Sequence, residues 1–212
     1  MLDVKAFIAA NLRLESPPLL PEIRLYAAHA GSGLRRLAEG SPGAASPYWA
    51  YPWAGGVALA RYILDHPDVV AGRRMLDLGA GGGLVAIAAA KAGAAVVTSV
   101  DIDPNAIAAI ELNAAANGVV VSALCADILE GPPPAADIVC AGDLFYERAL
   151  GARVTAFLDR CLAAGVDVLA GDPGRVGLPA DRLRKLADYP VPDFGQSIGG
   201  TATSAVFALI GK

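Results

Sequence analysis

The chain has 212 residues, and its formal net charge of −4 and pI ≈ 5.1 disfavour a nucleic-acid partner, which would require clustered Lys and Arg side chains. The length suits one domain with its own core, so we predict a single domain over residues 1–212. The hydrophobic fraction is high at 55%, but the apolar stretch 78–100 contains Lys91 and Gly93. It is therefore predicted as strand, helix and strand rather than as a membrane span.

Cysteine and histidine usage bounds the chemistry and the compartment. The three cysteines, Cys125, Cys140 and Cys161, form no C-x-x-C pair, and with only two histidines in the chain no metal site is predicted. The N-terminal end shows no basic segment followed by an apolar core, so no secretory signal is predicted. We expect a cytoplasmic protein with reduced thiols and with neither a membrane nor a metal partner.

Residues 1–52 are predicted to form an N-terminal helical extension that ends in an aromatic loop. Apolar residues recur at helical spacing over residues 3–14, which predicts a helix there. The further predictions are an extended segment over 22–28, a short helix over 34–39, a breaker-rich linker over 41–47 and an aromatic cluster over 48–53. A helix over 54–64 then opens the core, which we place at residues 53–212.

From Arg74 onward, short apolar runs alternate with helical patterns. The predicted strands are residues 75–78, 96–102, 119–125, 137–141, 166–170, 191–194 and 204–210. The predicted helices are residues 84–92, 103–117 (with Asp103 as N-cap and Pro104 in the first turn), 147–163 and 180–187. This alternation predicts an α/β, Rossmann-like parallel sheet with right-handed crossovers, and the last two strands, which lack an intervening helix, should form an antiparallel hairpin.

A glycine turn follows the first strand of this core. Gly79, Gly81 and Gly83 give G-x-G-x-G, whereas a dinucleotide fingerprint has a third glycine at the position of Leu84. Asp77, two residues before the turn, would repel a pyrophosphate but favour a cationic group. A ligand with an amine and no phosphate, such as S-adenosylmethionine, therefore fits better than a dinucleotide.

Two further carboxylates stand at strand ends. Asp101 closes the second strand about 20 residues after the glycine turn, where an acidic side chain accepts hydrogen bonds from ribose hydroxyls. Asp127 follows the third strand and is a candidate acceptor for an adenine amino group, while Ile102 and Ile128 could hold the ring between them. A solvated loop carboxylate is the alternative for Asp127.

The set of Asp77, the three turn glycines, Asp101 and Asp127 resembles the seven-strand, class I S-adenosylmethionine-dependent methyltransferases. The resemblance covers residues 70–212. It implies S-adenosyl-L-methionine as cofactor and a seven-stranded sheet of order 3-2-1-4-5-7-6, with the last strand antiparallel and helices on both faces.

The acceptor side carries a second resemblance. Asp143-x-x-Tyr146 resembles the D-x-x-Y signature of the lysine-directed group, family 16. Residues 47–56 and 170–175 look like the corresponding segments of the electron transfer flavoprotein beta subunit lysine methyltransferases. A protein-lysine N-methyltransferase is implied, with that beta subunit as suspected protein substrate and a bacterial-type cytoplasmic setting.

This resemblance also implies roles for individual side chains. Asp143 and Tyr146 are the candidate catalytic residues. Asp143 would orient the substrate amine, and Tyr146 would donate a hydrogen bond to Asp143. The aromatic candidates are Trp53 for the cofactor and Tyr48 and Trp49 for the substrate channel, the alternative being a hydrophobic plug between the N-terminal segment and the sheet. Asp172 either contacts the substrate or only initiates its turn.

Transfer to a lysine requires the neutral amine. With a reference pKa near 10.4, deprotonation at pH 7 costs roughly 4.6 kcal/mol, and a nearby carboxylate raises that pKa further. Asp143 is therefore expected to capture and orient the amine rather than to act as its base. Two alternatives share the fold: a small-molecule (nicotinamide-like) or ribosomal-protein N-methyltransferase, and a non-catalytic S-adenosylmethionine-binding module. A dinucleotide-dependent oxidoreductase is the least favoured.

Overall fold

A seven-stranded sheet with helices on both faces forms the body of the protein. The computed structural model describes residues 3–38, 46–191 and 203–211. The sheet strands are β3 (Arg74–Leu78), β4 (Val96–Asp101), β5 (Ser122–Cys125), β6 (Ile138–Gly142), β7 (Asp167–Asp172), β8 (Leu183–Tyr189) and β9 (Ser204–Leu209). Their spatial order is β5-β4-β3-β6-β7-β9-β8, and β9 is antiparallel to both of its neighbours. The predicted fold class and strand order are confirmed.

The sixth strand of the sheet lies elsewhere than predicted. The helix expected over 180–187 is wrong, because one 3-10 turn at Ala180–Arg182 leads directly into strand β8. Leu, Arg, Lys and Ala favour a helix locally, but pairing along β9 overrides that weak preference. The strand expected over 191–194 is also wrong at Val191, because this residue follows Pro190 and belongs to no strand. Residues 192–194 lie outside the described residues.

Six helices cover the sheet and the N-terminal segment within the described ranges. They are α1 (Val4–Asn11), α2 (Arg35–Ala38), α3 (Ala54–Asp65), α4 (Leu84–Lys91), α5 (Pro104–Ala116) and α6 (Arg148–Ala163). The predicted cap of α5 is confirmed, since Asp103 Oδ1 accepts a hydrogen bond from the Asn105 amide at 2.8 Å. The linker predicted over 41–47 and the end of the helix predicted over 34–39 fall largely outside the described residues. None of the helices in the described segments is long and apolar enough to cross a bilayer.

The N-terminal segment forms a helix and a small hairpin rather than one long helix. Helix α1 ends at Asn11, and β1 (Arg13–Glu15) pairs antiparallel with β2 (Leu25–Ala27). The apolar spacing that predicted a helix to residue 14 therefore extends three residues too far. Helix α1 packs Phe7 and Ile8 into a core cluster that also contains Trp49, which joins the segment to the main domain.

The other two core clusters lie on opposite faces of the sheet. One contains α3 and α4 with side chains such as Leu59, Ile63 and Ile87. The second contains α6, with Val154 and Phe157 completely buried. The polar residues at the carboxyl ends of the strands therefore project from a scaffold that is packed on both sides.

Helix α3 approaches the sheet closely through glycines. A Cβ atom on Gly55 would overlap the carbonyl oxygen of Gly171 on β7, and a Cβ on Gly171 would overlap the carbonyl of Gly55. A Cβ on Gly142, at the end of β6, would lie 2.9 Å from the Cα of Gly56. The backbone of α3 can reach the two strand ends only because these side chains are missing.

We predict that Gly55→Ala destabilises the protein by about 1–3 kcal/mol, because the new methyl group must push α3 away from β7. Gly56→Ala is the matched control in the same helix turn, where a Cβ would only touch Asp143 Oδ2 at 3.7 Å. Urea unfolding of both variants measures the difference. Equal stabilities would show that the close approach is not required.

Candidate active site

The carboxyl ends of the central strands and the aromatic segment 46–53 enclose a cavity of ≈ 490 Å³. This volume lies in the range of small-molecule sites. Its wall contains most of the residues predicted for cofactor and acceptor: Tyr48, Trp49, Trp53, Gly79, Gly81, Asp101, Ile102, Asp127, Ile128, Asp143 and Tyr146. Arg153 and Arg175 also line it. The residues come from separate parts of the sequence, and the parallel sheet brings them to one edge.

The glycine turn donates the backbone amide of Gly81 to Asp101. Gly81 has φ +53° and donates its N–H to Asp101 Oδ2 at 2.8 Å, while Asp101 Oδ1 accepts from the Asp103 amide at 3.0 Å. Burial raises the pKa of Asp101, and these two amides lower it. A carboxylate has about four acceptor positions, so Asp101 keeps capacity for ligand hydroxyls.

Asp77 lies beneath the cavity rather than in its wall. Its carboxylate is buried and accepts the amide of Ala86 at 3.0 Å, which caps the first turn of α4. Burial, with a smaller contribution from the charge of Asp101, raises the pKa of Asp77 to about 7. Gly83 likewise shapes the start of α4 (φ +81°) without lining the cavity. Direct cofactor contacts by Asp77 and Gly83 stay predictions.

The far end of the cavity combines an ion pair with exposed apolar surface. Asp127 accepts hydrogen bonds from Arg153 Nη2 at 2.8 Å and from the Leu129 amide at 3.0 Å, and the bond to Arg153 lowers its pKa. Ile102 is 68% exposed and lines the cavity together with Ile128. An exposed apolar side chain beside a fixed acceptor is suited to a flat, partly polar ring.

The aromatic residues divide into two groups. Tyr48 lies 5.8 Å from Trp53 and 6.0 Å from Tyr146, between ring centroids, and Trp53 Nε1 donates to the carbonyl of Tyr48 at 2.8 Å. Tyr48 and Tyr146 are 54% and 46% exposed and form the rim of the cavity. Trp49 instead packs in the core with Phe7. This agrees with the alternative that the aromatic residues form a hydrophobic plug between the N-terminal segment and the sheet.

Asp143 is held in place by three parts of the chain. Its backbone has φ +58°, Oδ2 accepts the Gly56 amide of α3 at 2.6 Å, and Oδ1 accepts Arg175 Nη2 at 2.9 Å. Burial raises the pKa of Asp143 to about 6, while the Gly56 amide and the charge of Arg175 oppose the rise. The hydrogen bond predicted from Tyr146 to Asp143 is not present among the described residues, where Gly56 and Arg175 donate to that carboxylate and Tyr146 lies on the rim beside Tyr48.

Asp172 lies in its own turn rather than in the cavity wall, and its direct contact with the substrate stays a prediction. The residue is completely buried, and Oδ1 accepts the amides of Gly174 at 2.7 Å and Arg175 at 2.6 Å. It therefore initiates its own turn, the other reading that the sequence left open. That turn delivers the guanidinium of Arg175 to Asp143 and places it 5.7 Å from the centre of the Trp53 ring.

Sequence reasoning missed three side chains at the site: Arg175, Asn113 and Arg153, which pairs with Asp127. Arg175 could have been suspected only from its place in the turn after β7. Asn113, on α5, is buried: Nδ2 donates to the Gly82 carbonyl at 2.8 Å and Oδ1 accepts the Tyr26 amide at 2.8 Å. It ties the glycine turn to strand β2, and nothing in the local sequence distinguishes it from a solvated helix residue.

The donor set fits an adenosyl sulfonium better than a pyrophosphate. Acidic side chains, Asp77 and Asp101, flank the glycine turn, and the cavity cations Arg153 and Arg175 are each paired with a carboxylate. Asp101 supplies acceptors for a ribose, and Ile102 with Ile128 supplies an apolar slot. S-adenosylmethionine would be held by Asp101, Asp127 and the turn amides.

The fold and this cavity define a class I S-adenosylmethionine-dependent methyltransferase. Solved structures agree: a ribosomal protein L11 methylase from Lactobacillus delbrueckii subsp. bulgaricus matches with TM-score 0.52 and 22% identity over 72% of this chain and 77% of its own. Magnesium protoporphyrin IX methyltransferase from Synechocystis, with bound S-adenosylmethionine, matches with TM-score 0.52 and 14% identity, covering 74% of this chain and 78% of its own. At these identities the matches establish the fold alone.

Sequence relatives assign the family. The family model for ribosomal protein L11 methyltransferase matches residues 59–144. Electron transfer flavoprotein beta subunit lysine methyltransferases match at 42% identity in Rattus norvegicus (76% of this chain, 66% of the relative) and at 38% in Homo sapiens (98% and 82%). The chain belongs to the electron transfer flavoprotein beta subunit lysine methyltransferase family. These relatives are animal proteins, so the expected bacterial character receives no support from them.

We predict that Asp101→Asn weakens binding of S-adenosylhomocysteine by about ten- to a hundredfold, the loss of one to two charged hydrogen bonds. Isothermal titration calorimetry measures the dissociation constant. Asp68→Asn, an exposed residue near the amino end of β3, is the control. An affinity within twofold of wild type would remove Asp101 from the cofactor site.

We predict that Asp77→Asn flattens the pH dependence of stability. The folded-state pKa of about 7 lies above the ordinary value of 3.8 for an aspartate, so Asp77 contributes stability that is complete below pH 4 and is lost as pH rises through 7. The asparagine can still accept the Ala86 amide but cannot ionise. Between pH 5 and 8, its free energy of unfolding should fall by about 2–3 kcal/mol less than that of wild type. Parallel profiles in urea unfolding would contradict this.

Proposed function

We propose that the enzyme methylates lysine side chains of the electron transfer flavoprotein beta subunit, or of a closely similar folded protein. The observation that carries this proposal is the placement of Asp143 behind an exposed aromatic rim of Tyr48 and Tyr146. The names of the relatives in rat, human and zebrafish support the choice of substrate. A long, thin side chain can pass such a rim while the rest of a folded protein stays outside.

The chain's residues bind, orient and exclude water. When bound, S-adenosylmethionine supplies an electrophilic methyl group on a positively charged sulfur. Asp101 and the glycine turn fix its position, and Trp53 with the rim tyrosines shields the transfer path from solvent. Asp143 accepts an N–H of the incoming amine and aims its lone pair, so the protein contributes mainly orientation and desolvation.

The alternatives differ in the acceptor. The match to the ribosomal protein L11 methyltransferase model ends at residue 144, so it covers the cofactor side and includes neither Tyr146 nor the turn after β7. No observation within the described residues favours a nicotinamide-like small molecule. The exposed rim favours a protein side chain, because a small-molecule site usually buries most of its ligand.

We also propose that the enzyme works in the cytoplasm or a similarly reducing compartment. Its three cysteines are free thiols in the structure, and Cys140 and Cys161 are buried. Thiols persist where glutathione and thioredoxin keep proteins reduced.

The test is incubation of the enzyme with labelled S-adenosylmethionine and purified electron transfer flavoprotein, followed by mass mapping. We expect label on lysine residues of the beta subunit. Asp143→Asn should lower the transfer rate by about a hundredfold, because it misplaces the amine, while S-adenosylhomocysteine still binds. Label found only on metabolites or on another protein would refute the proposed substrate.

A further inference from the structure

A second charged side chain is built into the acceptor end of the cavity. Arg175 Nη2 lies 2.9 Å from Asp143 Oδ1, and the guanidinium faces Trp53, with its carbon 5.7 Å from the ring centroid. The side chains of Arg175 and Asp143 are only 18% and 9% exposed. A cation is thus held between a carboxylate and an aromatic face, largely out of solvent, where its charge is weakly screened.

This pair bears on a conflict in the chemistry of the acceptor. Transfer requires a neutral amine, but an isolated carboxylate beside the amine would stabilise the ammonium form. Asp143 alone would therefore bind the acceptor lysine in its unreactive state. A positive charge that already compensates the carboxylate removes this difficulty, since the pair then has no net charge.

Resting on the proposed function, we propose that Arg175 is a positioning residue that compensates the charge of Asp143, so that the acceptor amine binds to this carboxylate as the free base. Asp143 accepts hydrogen bonds from Gly56 and Arg175, and the amide of Gly55 also donates to it. A carboxylate has about four acceptor positions, so one remains for an N–H of the amine. The carboxylate orients the amine through this hydrogen bond without trapping a proton on it.

The other charged and titratable groups around Asp143 leave this role to Arg175. From β7, the carboxylate of Asp172 acts on Asp143 in the opposite sense, and its Oδ1 is held by its own turn amides. Burial raises the pKa of Tyr146, and the groups whose charge adds to this rise are Tyr48, Glu147 and Asp101, none of which is a cation. Arg153, farther along the cavity wall, is paired with Asp127 and Glu130. The N-terminus of α3 adds a partial positive charge at Gly56.

The transfer itself balances without a protein base. The lone pair of the neutral amine forms the new nitrogen–carbon bond, and the electron pair of the broken carbon–sulfur bond stays on sulfur. The methylated nitrogen then carries the positive charge and gives a proton to water. Arg175 keeps its charge throughout and lowers the proton affinity of the neighbouring Asp143–amine pair.

The test compares Arg175→Met, which removes the charge, with Arg175→Lys, which retains it. We expect the acid limb of the single-turnover pH–rate profile to move up by about one to two pH units in Arg175→Met. Its rate at pH 7 should fall by about ten- to a hundredfold and recover at high pH, while Arg175→Lys stays close to wild type. Arg184→Met, on the exposed side of β8, is the matched control.

A second readout needs neither acceptor nor cofactor. The ¹³C carboxyl resonance of Asp143 reports its ionisation, and its midpoint should move to higher pH in Arg175→Met than in wild type or Arg175→Lys. Binding of S-adenosylhomocysteine checks that each variant is folded. A rate loss of the same factor at every pH, or a carboxyl midpoint that does not move, would overturn the proposal.

These outcomes separate the proposal from the proposed function. If wild type labels another amine instead of the beta subunit, the substrate assignment fails and the pH profile is measured on that amine. If no acceptor is labelled, the Asp143 midpoint alone decides: an upward displacement in Arg175→Met supports charge compensation, and an unchanged midpoint refutes it.

Discussion

The contact between the first turn of α3 and the ends of β6 and β7 is the constraint on which the acceptor site depends. Gly55, Gly142 and Gly171 let backbone meet backbone there. Because the helix comes so close, its Gly56 amide reaches the carboxylate of Asp143, and Trp53, the residue before the helix, faces the cavity. Packing at small residues thus sets the position of the polar group that orients the acceptor.

A common electrostatic pattern follows from this backbone arrangement. Asp77, Asp101 and Asp143 stand at or just beyond the carboxyl ends of three adjacent strands, and each accepts a backbone amide from a helix start or a glycine turn. Burial raises the pKa of all three. The site therefore holds a row of oriented acceptors whose charge matches a cationic cofactor, and Arg175 compensates the member of the row that faces the acceptor.

The sequence predicted the fold well because strand–helix alternation and the turn glycines are local signals. The cap of α5 by Asp103 was readable for the same reason, whereas the strand order followed from the family resemblance. Strand β8 was not readable, since its composition favours a helix and only pairing with the distant β9 decides otherwise. Asp172 and Arg175 show the same limit at the site. Asp172 accepts hydrogen bonds from its own turn, whereas Arg175 reaches across to Asp143, and this difference depends on long-range geometry.

Asn113 connects the N-terminal segment to the sheet domain through hydrogen bonds. Its amide joins the glycine turn to the hairpin strand β2, and Asn117, one helical turn later, holds both backbone groups of Arg24. The N-terminal segment is therefore a structural part of the cofactor cradle rather than an exchangeable cap. A chimera that exchanged only the residues before α3 between family members would have to carry a matching α5 with them.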